Sequence, residues 1–222
     1  GRDVIGTAKS VGKMNHDDFV NYHKKFYTPG NTVIVVSGSF DQTIMLSAVK
    51  KQFACLNKVP VPKTIKTKDA QKQPQVNVVY KQTDQSHMVL GWHGVPIGHS
   101  DQQIYTVLAS LLGGGMSSRL FTKLREDMGV CYYVNAGNEH ATTYGYFAIT
   151  AGVTNTRIEE VLCVLLEECK KLKTELVTDE ELKRVKQYLI GTMKLALESS
   201  DSLAMFYGPQ EVLKGSTLSP ED

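Results

Sequence analysis

The chain has 222 residues, 41% of them hydrophobic, which is enough apolar material for a packed core. Its 25 Lys and Arg residues nearly balance 23 Asp and Glu residues, so the weak net charge of +2 argues against binding to nucleic acid or an anionic membrane. No run approaches the roughly eighteen apolar residues of a membrane-spanning helix, and the opening GRDVIGTAKS lacks a signal-peptide core. We therefore expect a soluble, cytoplasmic chain without membrane contact, unless an upstream targeting segment has been lost.

The cysteines and the two ends of the sequence carry further expectations. Cys55, Cys131, Cys163 and Cys169 lack metal-type spacing, so we expect reduced, structural thiols. Both ends read as cuts, because the sequence closes on Ser-Pro-Glu-Asp, the start of a helix without its helix. A frayed tail is the alternative for this end. We expect a fragment of a longer protein.

The first segment predicts a helix, a buried strand and a second helix. Asn15 or Asp17 can cap an amphipathic helix that stops at a Thr-Pro-Gly turn. Residues 32–37, TVIVVS, form a continuous β-branched run, which predicts a strand buried on both faces. Asp41 then opens a helix that reaches Phe53.

Residues 58–75 have the composition of a linker. They carry three prolines and five lysines against a single aspartate, so they cannot bury an apolar face. The predicted organisation is therefore residues 1–57 as the remainder of one half, residues 58–75 as the linker and residues 76–222 as a second half.

The second half begins with two predicted strands, residues 76–83 and 87–94, around a turn at residues 84–86. A helix follows from Ser100 or Asp101. Its apolar residues recur on one face: Ile104, Val107, Leu108 and Leu111.

Further along, residues 131–138 and 144–152 alternate aromatic and small residues, as an antiparallel pair would. Residues 156–173 show helical apolar spacing, and Thr178 with Glu181 matches a capping box that starts a long helix. The predicted fold class is α+β, with helices packed on an antiparallel sheet.

Residues 113–134, GGGMSSRLFTKLREDMGVCYYV, contain the strongest candidate site. Arg125 and Tyr132 lie seven residues apart across a helix-to-strand turn, and glycine at position 129 permits the sharp reversal that brings their side chains together. Both groups are hydrogen-bond donors. Strand alternation predicts that Tyr133 faces the opposite side from Tyr132.

Four pieces of the sequence, in order, resemble one family: GRDVIGT, DDFVNYHKKFYTPGNTVIVVSGSFD, the SRL-to-Tyr segment, and LALESSDSLAMFYG. They resemble the second part of pitrilysin/insulinase zinc peptidases, the inverzincins, in the branch of mitochondrial processing peptidase. The resemblance implies paired α/β halves facing each other across a peptidase chamber. An internal echo between residues 34–49 and 148–163 agrees with two related halves, although any strand-turn-helix unit could produce it.

The family's His-x-x-Glu-His zinc motif is missing from this sequence. In the family, the zinc ligands and the catalytic glutamate precede the GRDVIGT position, so the resemblance implies that zinc is bound outside this chain and that the chain alone is inactive. The implied partners are an N-terminal zinc-bearing half or a separate zinc-bearing subunit in a homo- or heterodimer. We assign the six histidines ordinary surface or core roles and claim no metal site.

Within the resemblance, Arg125 and Tyr132 become the catalytic candidates. Hydrolysis on zinc builds negative charge on the former carbonyl oxygen of a peptide substrate, and a guanidinium and a phenol can stabilise that charge or hold the substrate. Outside the family, pairing of Arg125 with Glu126 or Asp127 and burial of Tyr132 would be favoured. Arg119 and Glu126 are expected to anchor the helix.

Two function classes remain. The chain is either the substrate-binding wall of a zinc endopeptidase that cleaves peptides or unfolded polypeptides, or part of a non-catalytic partner subunit or scaffold. The glycine run at 113–115 lacks the lysine of a phosphate-binding loop. We expect it to form a pliable lip over the cavity.

Overall fold

The computed structural model describes residues 4–56 and 59–221. The chain divides into two compact units, one made of Gly1–Thr64 with Leu197–Asp222 and the other of Ile65–Ala196. The predicted boundary between residues 57 and 58 lies outside the described residues, and the division into two family halves stays a prediction.

The described elements, in chain order, are seven α-helices and three strands with short helical turns between them. The helices are α1 (Ala8–Val11), α2 (His16–Phe26), α3 (Gln42–Phe53), α4 (Gln102–Gly113), α5 (Ile158–Thr174), α6 (Asp179–Ala196) and α7 (Ser200–Lys214). The strands are β1 (Gln85–His93), β2 (Cys131–His140) and β3 (Gly145–Thr154). A π-helix spans Phe121–Asp127, and 3-10 turns span Pro29–Asn31 and Asn155–Arg157.

The helix starts of the first unit follow the predicted caps. Asn15, rather than Asp17, caps α2, because its side-chain oxygen accepts hydrogen bonds from the N–H groups of Asp17 and Asp18. The carboxylate of Asp41 accepts from the N–H of Ile44 at 2.9 Å and opens α3. These local predictions are confirmed because a cap needs only neighbours in sequence.

The predicted buried strand at residues 32–37 is wrong. No strand of the described chain pairs with this segment, and its apolar side chains remain between 36% and 41% exposed from Val33 to Val36. A strand needs the backbone of a neighbour to satisfy its N–H and C=O groups. Residues 32–37 have the composition of a strand, but they lack a neighbouring strand and therefore do not form one.

The second unit is built on an antiparallel sheet with the order β1-β3-β2. The central β3 pairs with β1 from Gln85 opposite Thr154 to His93 opposite Tyr146. The predicted strand at 87–94 is therefore confirmed with slightly different bounds, and the pair at 131–138 and 144–152 is confirmed as β2 and β3. Residues 76–83 form no strand, and Val76 is 89% exposed.

The core of this unit lies on one face of the sheet. Ile149, Ala151 and Val153 of β3 are fully buried there, beneath α4, the π-helix and α5. The fully buried helical residues are Leu112, Leu120, Leu124, Val161 and Leu165. Helices packed on an antiparallel sheet confirm the predicted α+β class. The opposite face, which we call the outer face, carries His87, Val89 and Gly91 of β1, all exposed.

Two further features concern the membrane and cysteine expectations. Within residues 4–56 and 59–221, no helix is both long enough and apolar enough to cross a membrane. All four cysteines are free. Cys131 is buried, whereas Cys163 is exposed, because α5 turns Val161 and Leu165 toward the core instead.

Candidate functional site

The helix that carries Arg125 is a π-helix, a rare form that is found frequently at functional sites. The hydrogen bond that defines a π-helix joins residues five apart, and at the C-terminus of this helix the N–H of Met128 donates to the carbonyl of Lys123 at 3.2 Å. Leu124 is completely buried, whereas the neighbouring Arg125 is exposed. The apolar anchor therefore holds the helix on the sheet and leaves the guanidinium facing outward.

Gly129 makes the turn from this helix into β2. Its φ of +62° lies in the left-handed region that side chains rarely adopt, as expected for the predicted reversal. The reversal lets Nη1 of Arg125 donate to the carbonyl oxygen of Cys131 at 2.8 Å. That carbonyl belongs to the peptide bond that leads into Tyr132, so the guanidinium of Arg125 is hydrogen-bonded to the backbone directly before Tyr132.

The alternative to a functional role was that Arg125 pairs with an acidic neighbour, Glu126 or Asp127. Asp127 pairs with Lys123 at 3.7 Å rather than with Arg125. One of the several donors of the guanidinium is used by Cys131, and burial raises the pKa of the Cys131 thiol while the Arg125 charge opposes that rise. Arg125 is thus oriented by a backbone carbonyl and exposed to solvent.

Tyr132 occupies an irregularity of the sheet. Cys131 lies opposite Val153 and Tyr133 lies opposite Gly152, so Tyr132 is the extra residue of a β-bulge. The two tyrosines are 57% and 41% exposed between the buried Cys131 and Val134. The predicted alternation of Tyr132 and Tyr133 is therefore wrong, because a bulge interrupts the period of two. Tyr132 is exposed rather than packed in the core.

A histidine from β1 completes this corner. The phenol oxygen of Tyr133 and Nδ1 of His87 are hydrogen-bonded at 3.0 Å, and the two rings stack with centroids 6.0 Å apart. His87 and Tyr133 both lie opposite Gly152, on its two sides. Sequence reasoning missed this pair, since the partners are 46 residues apart and only the strand order brings them together.

Arg119 anchors the same helix from its other end. It donates two hydrogen bonds, 2.7 and 2.6 Å long, to the carboxylate of Glu181 on α6. The hydrogen bonds from Arg119 lower the pKa of the Glu181 carboxyl, and the same hydrogen bonds raise the pKa of the Arg119 guanidinium. The predicted capping box is half formed, because Thr178 accepts from the Glu181 N–H at 3.2 Å while the glutamate carboxylate binds Arg119.

The three glycines before this helix have different surroundings. A Cβ at Gly113 would lie 2.2 Å from the backbone nitrogen of Ala136, and one at Gly114 would lie 2.5 Å from Cα of Ser110. At Gly115 the closest neighbours are Tyr188 ring atoms at 3.5 Å, an ordinary contact. Close packing explains two of the glycines. The pliable lip stays a prediction.

Another feature of the second unit, a cavity with a histidine beside it, is lined by neither Arg125 nor Tyr132. His93 pairs with Asp69 at 2.9 Å, beside a cavity of about 940 Å³ between residues 67–74 and the outer face of the sheet. Among the described residues, no group of three or more His, Cys, Asp or Glu side chains is arranged to hold a metal ion. The candidate site therefore consists of donors and aromatic rings.

Comparison with known proteins identifies the family of the chain. A family model described as the Peptidase M16 inactive domain matches residues 13–189. A zinc protease of Bacillus subtilis, itself uncharacterized, is 29% identical over 215 residues, covering 97% of this chain and 52% of its own length. An uncharacterized zinc protease of Streptomyces coelicolor is 28% identical, with 100% and 50% covered. The chain spans about half the length of these curated relatives.

Solved structures show the same fold. A protease from Helicobacter pylori superposes with a TM-score of 0.82 at 23% identity, covering 94% of this chain and 51% of that one. A chain of complex III2 from Candida albicans gives a TM-score of 0.82 at 19% identity, covering 99% and 54%. The resemblance to the pitrilysin/insulinase peptidases is thereby confirmed, and the chain belongs to the Peptidase M16 inactive domain family.

Proposed function

We propose that this chain supplies the substrate-binding wall of a zinc-dependent endopeptidase, with Arg125 and Tyr132 as the groups that contact the peptide. The observation that carries the proposal is the hydrogen bond from Arg125 to the Cys131 carbonyl, which sets the guanidinium at the peptide unit leading into the exposed Tyr132. Two exposed donors at one corner of the sheet suit an extended peptide rich in carbonyl oxygens.

The chemistry of the pair supports a role in hydrolysis. When water attacks a peptide carbonyl, negative charge develops on its oxygen, and donors held in place stabilise that charge more than the ground state. The Leu124 anchor and the Arg119–Glu181 pair hold the helix that carries Arg125. Zinc, when bound by the other half or subunit, supplies the Lewis acid and the activated water.

The test uses the complete protein, meaning this chain together with the zinc-bearing half, on one polypeptide or two. Cleavage of a quenched fluorescent peptide is measured with bound zinc quantified. Arg125→Ala and Tyr132→Phe are each expected to lower kcat/KM on the order of 10²-fold, since each removes a donor to the developing charge. Zinc content should not change.

Two matched controls accompany these variants. Tyr146→Phe removes a phenol of similar exposure, 46%, at the far end of the same sheet, and Arg157→Ala removes an exposed arginine that pairs with Glu160. Both should leave kcat/KM within about twofold of the parent. Unchanged cleavage in Arg125→Ala and Tyr132→Phe would overturn the assigned roles.

The second candidate function is a non-catalytic partner or scaffold. It is favoured by the family description, which names an inactive domain. The same assay separates the two. A complete protein that binds no zinc and cleaves no peptide is a scaffold or partner, whereas zinc-dependent cleavage lost in the two variants supports the binding wall.

A further inference from the structure

We propose that His87 and Gly152 select which of the two consecutive tyrosines is presented as the bulged residue: they hold Tyr133 in the sheet and thereby place Tyr132 beside Arg125. The inference rests on the proposed function for its catalytic consequence. The selection itself is a property of the sheet and can be measured without any activity.

The sequence of β2 permits two arrangements. Cys131 and Val134 are both buried, and only Tyr132 and Tyr133 lie between them. A bulge is required, because strict alternation would place only one residue between two buried positions of the same face. Since the two intervening residues are identical in type, β2 alone does not decide which tyrosine is paired and which is extra.

Gly152 is the first of two residues that decide which tyrosine is paired in the sheet. It lies opposite Tyr133 on β3, and the Tyr133 ring packs directly over it. A Cβ at position 152 would lie 2.4 Å from Cε1 of Tyr133, so a side chain there would displace the ring, whereas the flexible Gln85, whose Oε1 lies at 2.9 Å, could move aside. Because position 152 has no side chain, there is room over its backbone for one tyrosine ring, and we call this space the seat.

His87 is the second of these two residues. It lies opposite Gly152 from the other side, so the glycine is flanked by the imidazole of β1 and the phenol of β2. The 3.0 Å hydrogen bond and the stacked rings join the two edge strands across the glycine. A tyrosine in the seat gains these contacts, and the tyrosine left in the bulge does not.

The choice matters for the Arg125 site because of where the carbonyl of Cys131 lies. Arg125 donates to this carbonyl, and Tyr132 is the next residue. If Tyr132 instead paired with Gly152, Tyr133 would become the extra residue of the bulge. The Tyr132 ring would then pack over Gly152 on the sheet and no longer lie beside Arg125. His87 and Gly152 are thus positioning residues that act through Tyr132.

The register is tested directly by NMR on the 222-residue chain. Cross-strand NOEs are expected between Tyr133 and Gly152 in the parent. In Gly152→Ala, and in His87→Ala, these NOEs should weaken or be replaced by contacts from Tyr132. Gly137→Ala is the matched control, because Gly137 lies on β2, and a Cβ there meets nothing within 4 Å. Unchanged Tyr133 NOEs in both Gly152→Ala and His87→Ala would overturn the proposal.

The catalytic consequence is tested on the complete protein with the peptide assay. His87→Ala should lower kcat/KM by about 3- to 10-fold, the effect of one lost hydrogen bond. In a Tyr132→Phe background the same change should have no further effect, because His87 acts only through Tyr132. His87→Asn, which keeps a polar nitrogen or oxygen near the Nδ1 position, should restore most of the loss.

The outcomes separate the two proposals. Additive losses from His87→Ala and Tyr132→Phe would overturn the positioning role while leaving the binding wall intact. If Tyr132→Phe itself has no effect on cleavage, the proposed function fails, and the NMR register still decides whether His87 and Gly152 select the bulge.

Discussion

Two apolar segments of this chain, both predicted as strands, have different structures. Residues 145–154 form the central strand β3, where Ile149 is completely buried. Residues 32–37 are at least as apolar, yet Ile34 is 41% exposed and no described strand pairs with the run. β3 has a partner on each side and helices over one face. Strand composition therefore becomes a strand only where neighbours complete the hydrogen bonds.

The largest expected contrast is between the same substitution in the two runs. Ile149→Ala should destabilise the second unit by about 2–5 kcal/mol, because it leaves a cavity in a closed core. Ile34→Ala should change the stability of the first unit by less than about 1 kcal/mol, since its side chain is already partly solvated. Urea-dependent hydrogen exchange, which reads each unit separately, measures both. Equal losses would break the comparison.

A second contrast compares two glycines at the end of α4, one packed tightly against β2 and one not. Gly113→Ala should destabilise the chain by about 1–3 kcal/mol, because its Cβ would overlap the Ala136 backbone where α4 meets β2. Gly115→Ala, with only the Tyr188 ring at 3.5 Å, should remain within about 0.5 kcal/mol. Urea unfolding followed by fluorescence of the single Trp92 measures both. A large loss at Gly115 would contradict the packing explanation.

A third contrast compares two ion pairs. Arg119→Met should cost about 1–3 kcal/mol, because it leaves the half-buried Glu181 carboxylate without its two donors. Arg157→Met should give no measurable change, since its pair with Glu160 is solvated on both sides. Trp92 fluorescence during urea unfolding again provides the measurement. Similar losses in both variants would show that burial does not set the difference.

The smallest expected effect is the pH dependence of the Arg119–Glu181 pair. Hydrogen bonding from Arg119 lowers the folded pKa of Glu181 below the ordinary value of 4.5. The stabilisation is therefore complete above the unfolded pKa and is lost as pH falls through the lower folded value. Glu181→Gln should flatten the acid limb of the stability profile, whereas Glu159→Gln, at an exposed position of α5, should not. Parallel acid limbs in parent and Glu181→Gln would contradict this assignment.

The starts of α2, α3 and α6 and the family were predictable from the sequence because their signals are local. Asn15, Asp41 and Thr178 each accept a hydrogen bond from an N–H two or three residues ahead, so the caps need no tertiary contact. The turn at Gly129 was predictable for the same reason, since the left-handed backbone there is a property of one residue.

The geometry of the candidate site was only partly predictable. The spacing of Arg125 and Tyr132 suggested that the two would meet, and the reversal at Gly129 agrees with it. The β-bulge was not visible, because it follows from the burial of both Cys131 and Val134 against the core, and the partner of Tyr133 is a histidine on another strand. The Glu181 carboxylate was assigned to a local cap and instead binds Arg119, 62 residues away.

The sequence by itself determined where α2, α3 and α6 begin, which helix faces are apolar, and which side chains are able to donate hydrogen bonds, because each of these depends on neighbours along the chain. Tertiary structure decided which apolar runs become strands and which tyrosine of β2 is presented. Both choices depend on backbone and side-chain partners that are distant in sequence, and these partners are brought together only by sheet pairing and core packing.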